Sequence, residues 1–456
     1  NTSAMQEITK EYLDEIQTLI EQGEERSLVA HLEDLHETDI ALILNQLRRE
    51  DVSYAYRLLK DDIRPAVLAD VDDEVREEIL SFLSSKEIAE DVIDGLESDD
   101  AADIIASLPS DKMMEVMSKA KDKESVSDVL SLLSYPEGSA GALMAKELVK
   151  VEETWSVATA IKEIRVQSQE IENLYTIYVV NSFGELTGRL SLQNLLLTAA
   201  STRTPVGELK DDENIISIKA KEKEELVVSL MERYDLVALP VTDDNGILLG
   251  RITIDDAVDV IIEEAERDYQ LASGISEDVE SYDSVWTLTR ARLPWLLIGL
   301  GGGVGGAYVI GAFDIVSNPE MALFIPLIAA MGGNVGVQSS AIVVQGLATS
   351  SINTSNIATR LMKELSVGLL NGVICAGIIF IVTLLLGFDK ALSTTVGISL
   401  LCVIVFAALF GAFIPLMLEK RKIDPALATG PFITTANDII GLIIYFSVGS
   451  FISTLL

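Results

Sequence analysis

Five long apolar stretches that follow Trp286 constrain the fold of this chain more than any other feature. They cover about 293–313, 321–349, 365–387, 396–418 and 432–455. A helix needs roughly 20 apolar residues to cross the ~30 Å hydrocarbon core of a bilayer, and each stretch reaches that length. The sequence therefore predicts an α-helical transmembrane domain over 286–456 that contains five spans.

Charge is concentrated in the other part of the chain. The 456 residues include 34 Lys and Arg against 71 Asp and Glu, but only 8 of the basic and 7 of the acidic residues lie at or beyond Trp286. The first 285 residues thus carry a net charge of −38. Nucleic acid is excluded as a partner, because binding phosphates requires clustered Lys and Arg. So acidic a region repels itself, and a bound cation would stabilise its compact arrangement.

Basic residues near the spans predict the topology, because cytoplasmic loops of membrane proteins are rich in Lys and Arg. Lys390 falls on one side of the predicted spans. The other side carries the remaining seven: Arg290, Arg292, Arg360, Lys363, Lys420, Arg421 and Lys422. We therefore expect a multi-pass protein of the cell (inner) membrane, with the N-terminal part cytoplasmic and the C-terminus outside. Residues 1–4 are expected to be an expression scar.

A few polar side chains interrupt the spans. Asp438 is the only carboxylate well inside a predicted span, and an acid in hydrocarbon usually faces a water-filled path or a partner. Thr434 precedes it by four residues and shares its helix face, as Asn334 and Gln338 share a face in the second span. Two polar faces without a basic residue favour a hydrated cation. The alternative is an ion pair between Asp438 and the basic residues 420–422.

The cytoplasmic part contains an internal repeat. Residues 178–196 align with 240–258, and Arg189 of the first copy matches Arg251 of the second. Each copy reads as strand, glycine turn, strand and helix, preceded by an amphipathic helix. The two α/β modules resemble a tandem of CBS domains, predicted over 134–262.

The resemblance to CBS domains implies a regulatory role with an adenosine-type ligand between the modules, which makes ATP a candidate ligand. The candidate nucleotide-binding residues are Arg189 and Asp256, the latter at the position where CBS domains hold the ribose. Asn194 occupies the equivalent position in the first copy and departs from that pattern.

Residues 5–133 show helical periodicity throughout and predict an acidic, all-α solenoid of short stacked helices. Residues 255–285 predict one long connecting helix with an acidic face. Like charges four residues apart destabilise a helix, so either cations bridge them or the helix tolerates the repulsion. Several of six acidic residues share that face: Asp255, Asp256, Asp259, Glu263, Glu264 and Asp268.

The complete order of domains resembles the MgtE-type bacterial magnesium channels. Three strings carry the resemblance: YPEGSAGALM (135–144), PLIAAMGGNVGVQSS (326–340) and DPALATGPFITTANDIIGLIIYF (424–446). The family implies a homodimer with one pore on the two-fold axis and a cytoplasmic magnesium sensor. In that family the connecting helix is a plug helix below the pore.

The resemblance also implies site residues. Asp438 would be the selectivity carboxylate, with Asn334 lining the pore and Thr434 beside them. The sensor ligands would be Asp99, Asp103, Asp256, Asp259, Glu264 and Asp268. Gly430 departs from the family, since a further polar pore residue is expected there.

We therefore predict a magnesium-selective channel that cytosolic Mg²⁺ closes. Two alternatives stay open: a divalent cation transporter coupled to Na⁺ or H⁺, and a non-conducting membrane receptor that senses nucleotide. An enzyme is not expected, because the sequence contains no Walker loop, no zinc-ligand spacing and no pattern of a nucleophile with its base.

Overall fold

The computed structural model describes residues 8–33, 35–168, 171, 174, 176–195, 201–212, 215–277, 279–280, 283–313, 319–348, 357–428 and 430–455. The predicted scar at 1–4 lies outside these residues. Contacts divide the chain into two compact units, Asn1–Ile262 and Glu263–Leu456.

Ten short α-helices and one π-helical turn (Ala89–Ile93) form the described residues in the first part of the first unit, which confirms the all-helical prediction. Helices of this domain pack on the next helix but one, for example α3 on α5, α4 on α6 and α8 on α10. A capping box between Ser84 and Glu87 starts α7, and the Asp122 side chain caps α10. The helices are α1 (Lys10–Gln22), α2 (Glu25–Leu32), α3 (Glu37–Gln46), α4 (Arg49–Arg57), α5 (Arg64–Asp70), α6 (Asp73–Phe82), α7 (Ser85–Ile88), α8 (Ser98–Ala106), α9 (Ser110–Lys119) and α10 (Lys123–Leu132).

Two small α/β modules follow and confirm the repeat. The first contains β1 (Val149–Glu152), α11 (Val157–Gln167), β2 (Ile177–Val180) and β3 (Leu186–Leu190). The second contains β4 (Ile218–Lys219), α12 (Glu224–Tyr234), β5 (Ala238–Thr242) and β6 (Leu248–Thr253). In both sheets the first strand is parallel to the second, and the second is antiparallel to the third.

The hairpins of the two modules pair with each other. Gly184 and Gly246 turn the hairpins with φ angles of +80° and +88°, which favour glycine. The backbone N–H of Leu186 donates to the Gly246 oxygen (2.9 Å), and that of Leu248 donates to the Gly184 oxygen (3.0 Å). The two copies therefore join through equivalent atoms.

The main apolar core of the first unit continues from the helical domain into the second module. It runs from side chains such as Leu68 and Ile105 through Met144 to Val227 and Ile252, all of them buried. The first module has a separate core. The helical domain is therefore packed on the second module by hydrophobic burial as well as by polar contacts.

The connecting helix is shorter than predicted. α13 spans Ile254–Ala272 and not 255–285, because Gly274 adopts a φ of +82° and ends the helix. The chain then folds back: the Gln270 side chain donates to the Val279 oxygen, and Ser276 donates to the Ala291 oxygen.

Among the described residues of the second unit, five helices are long and apolar enough to cross a membrane, which confirms the predicted number of spans. They are α14 (Val285–Ala312), α15 (Ile325–Ala348), α16 (Ile357–Leu385), α17 (Lys390–Lys420) and α18 (Pro431–Leu455). The α17 helix is the most buried; α15, α16 and α18 pack on it, while α14 packs on α18.

One expectation about the spans is wrong. Glu364 lies in the second turn of α16 and is only 5% exposed, so Asp438 is not the only acid inside a long apolar helix. Glu364 forms an ion pair with Arg360, whose Nη2 lies 3.2 Å from its Oε1. Pairing at i, i+4 explains how both charges are accommodated there.

Candidate metal sites

A cavity of about 420 Å³ opens between α15 and α18 of the membrane unit. It brings together the three residues predicted for the pore, Asp438, Asn334 and Thr434. The complete lining is Ala329, Ala330, Gly333, Asn334, Val337, Gln338, Thr434 and Asp438. A carboxylate, two amides and a hydroxyl supply oxygen atoms, which are the ligands of hard cations such as Mg²⁺.

Glycine makes this arrangement possible. A Cβ atom at Gly333 would lie 3.1 Å from the Thr434 side chain and 3.7 Å from Oδ1 of Asp438. A larger residue would therefore fill the space in front of the carboxylate. Thr434 donates its hydroxyl proton to the Gly430 oxygen (2.9 Å), so its oxygen lone pairs stay available to the cavity.

The alternative ion pair of Asp438 does not form among the described residues. No basic side chain lines the described cavity, and Lys420, Arg421 and Lys422 are exposed. The carboxylate therefore faces a polar cavity with its charge uncompensated by a described lysine or arginine.

Asn437 is a buried polar residue that sequence reasoning missed. It is 1% exposed, and neither its amide nitrogen nor its amide oxygen has a hydrogen-bond partner among the described residues. The side chain contacts Gly336 of α15, where a Cβ atom would overlap with Nδ2. Asn437 lies next to Asp438, at the contact between α15 and α18 behind the cavity. The glycine at position 336 was the sequence feature that could have indicated this close contact.

A second candidate site lies in the first unit, between α8 and the start of α13. Asp99, Asp100 and Asp103 on α8 and Asp256 on α13 influence one another electrostatically. Asp99 is 9% exposed. Asp256 accepts hydrogen bonds from the backbone N–H and the hydroxyl of Thr253, both at 2.8 Å. The structure thus brings together the predicted Asp99, Asp103 and Asp256 and adds Asp100.

Desolvation by the surrounding protein and mutual repulsion raise the pKa of every carboxyl group in this cluster, although Asp100 and Asp103 are exposed at the surface. Desolvation, and then the charge of Asp256, raises the pKa of Asp100 to about 7. Desolvation raises the pKa of Asp103 to about 6, although the charge of Arg76 opposes that rise. The pKa of Asp99 lies well above its usual value for the same two reasons as that of Asp100. Burial also raises the pKa of Asp256. Carboxylates held in this way gain strongly from a divalent cation.

Two further carboxylates sit beside this cluster. One oxygen of each of Glu97, Asp99 and Glu147 lies within 4.8 Å of the others, a spacing that would suit a shared cation. Burial raises the pKa of Glu97, and the charge of Arg251 opposes that rise only in part. Sequence reasoning missed Glu97 and Glu147 because they come from different domains.

The other predicted sensor residues are spread along α13. Asp259 lies at the surface. Partial desolvation of its carboxyl group, and then the charges of Asp255 and Asp70, raise its pKa. Glu264 is half-exposed. Burial, and then the charge of Asp424, raises the pKa of Asp268, so Asp424 is an acidic neighbour that was not predicted.

The predicted nucleotide residues are engaged elsewhere. Arg189 is exposed and pairs with Asp211, with 3.1 Å between Nη2 and Oδ2, while Asp256 belongs to the acidic cluster. Neither residue lines the cavity between the modules, which measures about 10 Å³ and is bordered by Tyr178 and Arg251. The nucleotide site between the modules therefore stays a prediction.

Comparison with known families covers most of the chain. The family described as "Divalent cation transporter" matches 325–448, the one described as "MgtE intracellular N domain" matches 35–138, and the CBS domain matches 140–200 and 206–263. A Bacillus subtilis (strain 168) protein named magnesium transporter MgtE is 30% identical over 95% of both chains. The Thermus thermophilus protein of the same name is 30% identical over 95% of this chain and 96% of its own.

A solved structure is similar to the cytoplasmic part. It is described as the cytosolic domain of the Mg²⁺ channel MgtE in complex with ATP, and it is 30% identical with a TM-score of 0.50. The match covers 54% of this chain and 99% of that one.

Proposed function

Because this chain belongs to the MgtE family of magnesium transporters, we propose that it is a Mg²⁺-selective channel of the cell membrane that cytosolic Mg²⁺ closes. The observation that carries the proposal is the membrane-unit cavity, where Asp438 faces the amides of Asn334 and Gln338 without a basic partner among the described residues.

The cavity suits a partly hydrated ion. Mg²⁺ sheds water reluctantly and usually keeps several water molecules when proteins bind it. Asp438 would attract the ion. Asn334, Gln338 and Thr434 would form hydrogen bonds with the water molecules that the ion keeps. One carboxylate per chain attracts the ion without enclosing it, as conduction requires.

The pore would be completed by a second copy of the chain. The cavity is open to one side of α15 and α18, where the Asn334 and Gln338 side chains are exposed. Amides and a carboxylate exposed to lipid are unfavourable, because the hydrocarbon offers no hydrogen-bond partner. A homodimer with its axis through this face would surround the ion with two copies of each group.

The acidic cluster of the first unit would be the sensor. Asp99, Asp100, Asp103 and Asp256 repel one another when they are ionised, and a divalent ion between them removes that repulsion. A ligand that binds only the closed arrangement stabilises it by mass action. High cytosolic Mg²⁺ would therefore favour closure, and low Mg²⁺ would release α8 from α13.

The helix α13 would transmit this change to the pore. Asp256 lies in its first turn, and Ala272 is its last residue. Within the second unit, the end of α13 contacts Gly430 and Gly274 contacts Pro431, directly before the helix that carries Thr434 and Asp438. Movement of α13 along its axis would therefore act on the first turn of α18.

The positive-inside rule supports a cytoplasmic N-terminal part and an external C-terminus for the five helices. ATP is a candidate ligand of the two modules, because the solved relative of their part of the chain is described in complex with ATP.

Uptake of Mg²⁺ into liposomes that contain the full chain tests the pore assignment. Asp438→Asn should abolish uptake, and Glu419→Gln, at an exposed acid outside the cavity, should leave it unchanged. Unimpaired uptake by Asp438→Asn would refute the pore assignment. Uptake that stops when Na⁺ and H⁺ gradients are removed would indicate a coupled transporter instead, and the absence of any flux would indicate a receptor.

A further inference from the structure

The start of α8 is attached to the segment before β1 by contacts that need no metal. The backbone N–H and the hydroxyl of Ser98 both donate to Oε2 of Glu147, at 3.2 and 2.8 Å. The backbone N–H of Lys146 donates to the Ser98 hydroxyl at 2.8 Å. Ser98 thus fixes the first turn of α8 to the segment that leads into the modules.

A buried ion pair reinforces this attachment. One guanidinium nitrogen of Arg251, Nη2, donates to both carboxylate oxygens of Glu97, at 2.9 and 3.0 Å. The Arg251 side chain is only 5% exposed. Its backbone is also fixed, because Arg251 and Ala145 exchange two backbone hydrogen bonds of 2.8 and 2.9 Å. The arginine therefore links β6 of the second module directly to the helical domain.

The pair lies at the edge of the acidic cluster. Glu97 precedes Asp99 by two residues, and their carboxylate oxygens lie within 4.8 Å of each other. Arg251 therefore places a permanent positive charge beside carboxylates that repel one another. Arg and carboxylate can stay ionised together at this degree of burial because each compensates the other.

The internal repeat shows that the arrangement is specific to one copy. Arg189 occupies the position of Arg251 in the first module, but its side chain is 53% exposed and pairs with Asp211. The fold of the module alone therefore does not require an arginine directed into the helical domain.

We infer that Arg251 is a built-in cation of the magnesium sensor, which holds the start of α8 on the second module and sets the Mg²⁺ concentration at which the cytoplasmic part closes. This inference rests on the proposed function. Without Mg²⁺ the acidic side of α8, at Asp99 to Asp103, separates from α13, while the end of α8 at Glu97 stays attached. With Mg²⁺ bound, Asp99 to Asp103 close on α13 again while Glu97 stays attached. The arginine thereby lowers the number of ions that closure requires.

The test is a Mg²⁺ titration of protease protection of the cytoplasmic part, with the full chain in detergent micelles. Arg251→Met leaves the half-buried Glu97 without its arginine, so the midpoint should rise about tenfold. Arg251→Lys keeps the charge and should restore most of that shift. The matched control Arg189→Met removes the same side chain from the other copy and should leave the midpoint within about twofold of the unsubstituted chain, because exposed pairs contribute little.

A double variant separates the charge effect from a packing defect. Glu97→Gln with Arg251→Met removes both charges, so its midpoint should lie closer to that of the unsubstituted chain than the midpoint of Arg251→Met alone. If Arg251→Met fails to fold, Arg251→Gln replaces it in the titration, because it also removes the charge of Arg251 but keeps a polar side chain.

The outcomes distinguish the two claims. No protection of the unsubstituted chain by Mg²⁺ would overturn the proposed sensor. Protection of the unsubstituted chain with the same midpoint in Arg251→Met, or in Arg251→Gln if Arg251→Met does not fold, would overturn the role of Arg251 alone. A lower melting temperature at saturating Mg²⁺ with an unchanged midpoint would assign the arginine a structural role only, and this too would overturn the inference.

Discussion

Gly430 and Ala272 are in direct contact: a Cβ atom at residue 430 would overlap with the carbonyl oxygen of Ala272. Gly430 also adopts a φ of +54°, in the region that favours glycine. This position precedes α18, and the resemblance to the family leads one to expect a polar residue there. In this chain it is instead the point at which the end of α13 meets the start of α18.

Gly430→Ala should weaken the inhibition of transport by internal Mg²⁺, because the added methyl group separates α13 from α18. The measurement is uptake into liposomes loaded with high or low Mg²⁺. Gly387→Ala is the matched control, since Gly387 has a φ of +90° but no atom within 4 Å of the methyl group that alanine would add. Equal inhibition in both variants would contradict the coupling.

The cytoplasmic part should be more stable at pH 5.5 than at pH 8 when Mg²⁺ is removed. The pKa values of Asp100 and Asp103, about 7 and about 6, lie above the value of about 3.9 for an unfolded chain. The stability gained from proton uptake on folding is therefore complete below about pH 4 and is lost as the pH rises through 6 to 7. Thermal melting in EDTA at the two pH values measures it.

Saturating Mg²⁺ should reduce this pH dependence, because the ion neutralises the same carboxylates. Asp100→Asn with Asp103→Asn should reduce it as well, even without the ion. A pH dependence that survives both changes would show that other groups cause it.

Glu364→Leu should lower the free energy of unfolding by about 3 kcal/mol, because it leaves the charge of Arg360 buried without a partner. The double variant with Arg360→Met should recover most of the loss. Thermal melting in detergent measures both, and Glu419→Gln serves as a control at an exposed acid. A double variant as unstable as the single one would assign the effect to packing.

Gly336→Ala should destabilise the membrane unit by about 1–3 kcal/mol, because the new methyl group would overlap with the Asn437 side chain in a close helix contact. Gly303→Ala in α14 should be neutral, since no atom lies within 4 Å of its added methyl group. The two variants can be compared by melting temperature; similar values would contradict the packing described here.

Periodicity and repeats were sufficient to predict the order of elements. The five spans, the two modules and the short helices each bury a regular apolar pattern, and such patterns are local. The ends of the spans were less predictable: α16 begins at Ile357 although the apolar stretch begins at 365, because the helix continues through Arg360 and Glu364, which pair with each other.

The sites were only partly predictable for a related reason. Asp438 is recognisable because a carboxylate in an apolar stretch is rare, and Asp99 and Asp256 follow from the family. The pairing of Arg251 with Glu97 joins residues 154 positions apart, and the repeat offers an identical arginine that is exposed. Only the packing of the domains decides which arginine is buried.

Channel recording from membrane patches under graded Mg²⁺ on the cytoplasmic side tests the account most directly. The proposed function predicts a Mg²⁺ current that falls as cytoplasmic Mg²⁺ rises, because the channel is open less often. It predicts no such current from the Asp438→Asn variant. A current that is indifferent to cytoplasmic Mg²⁺, or one that persists at full size in Asp438→Asn, would contradict it.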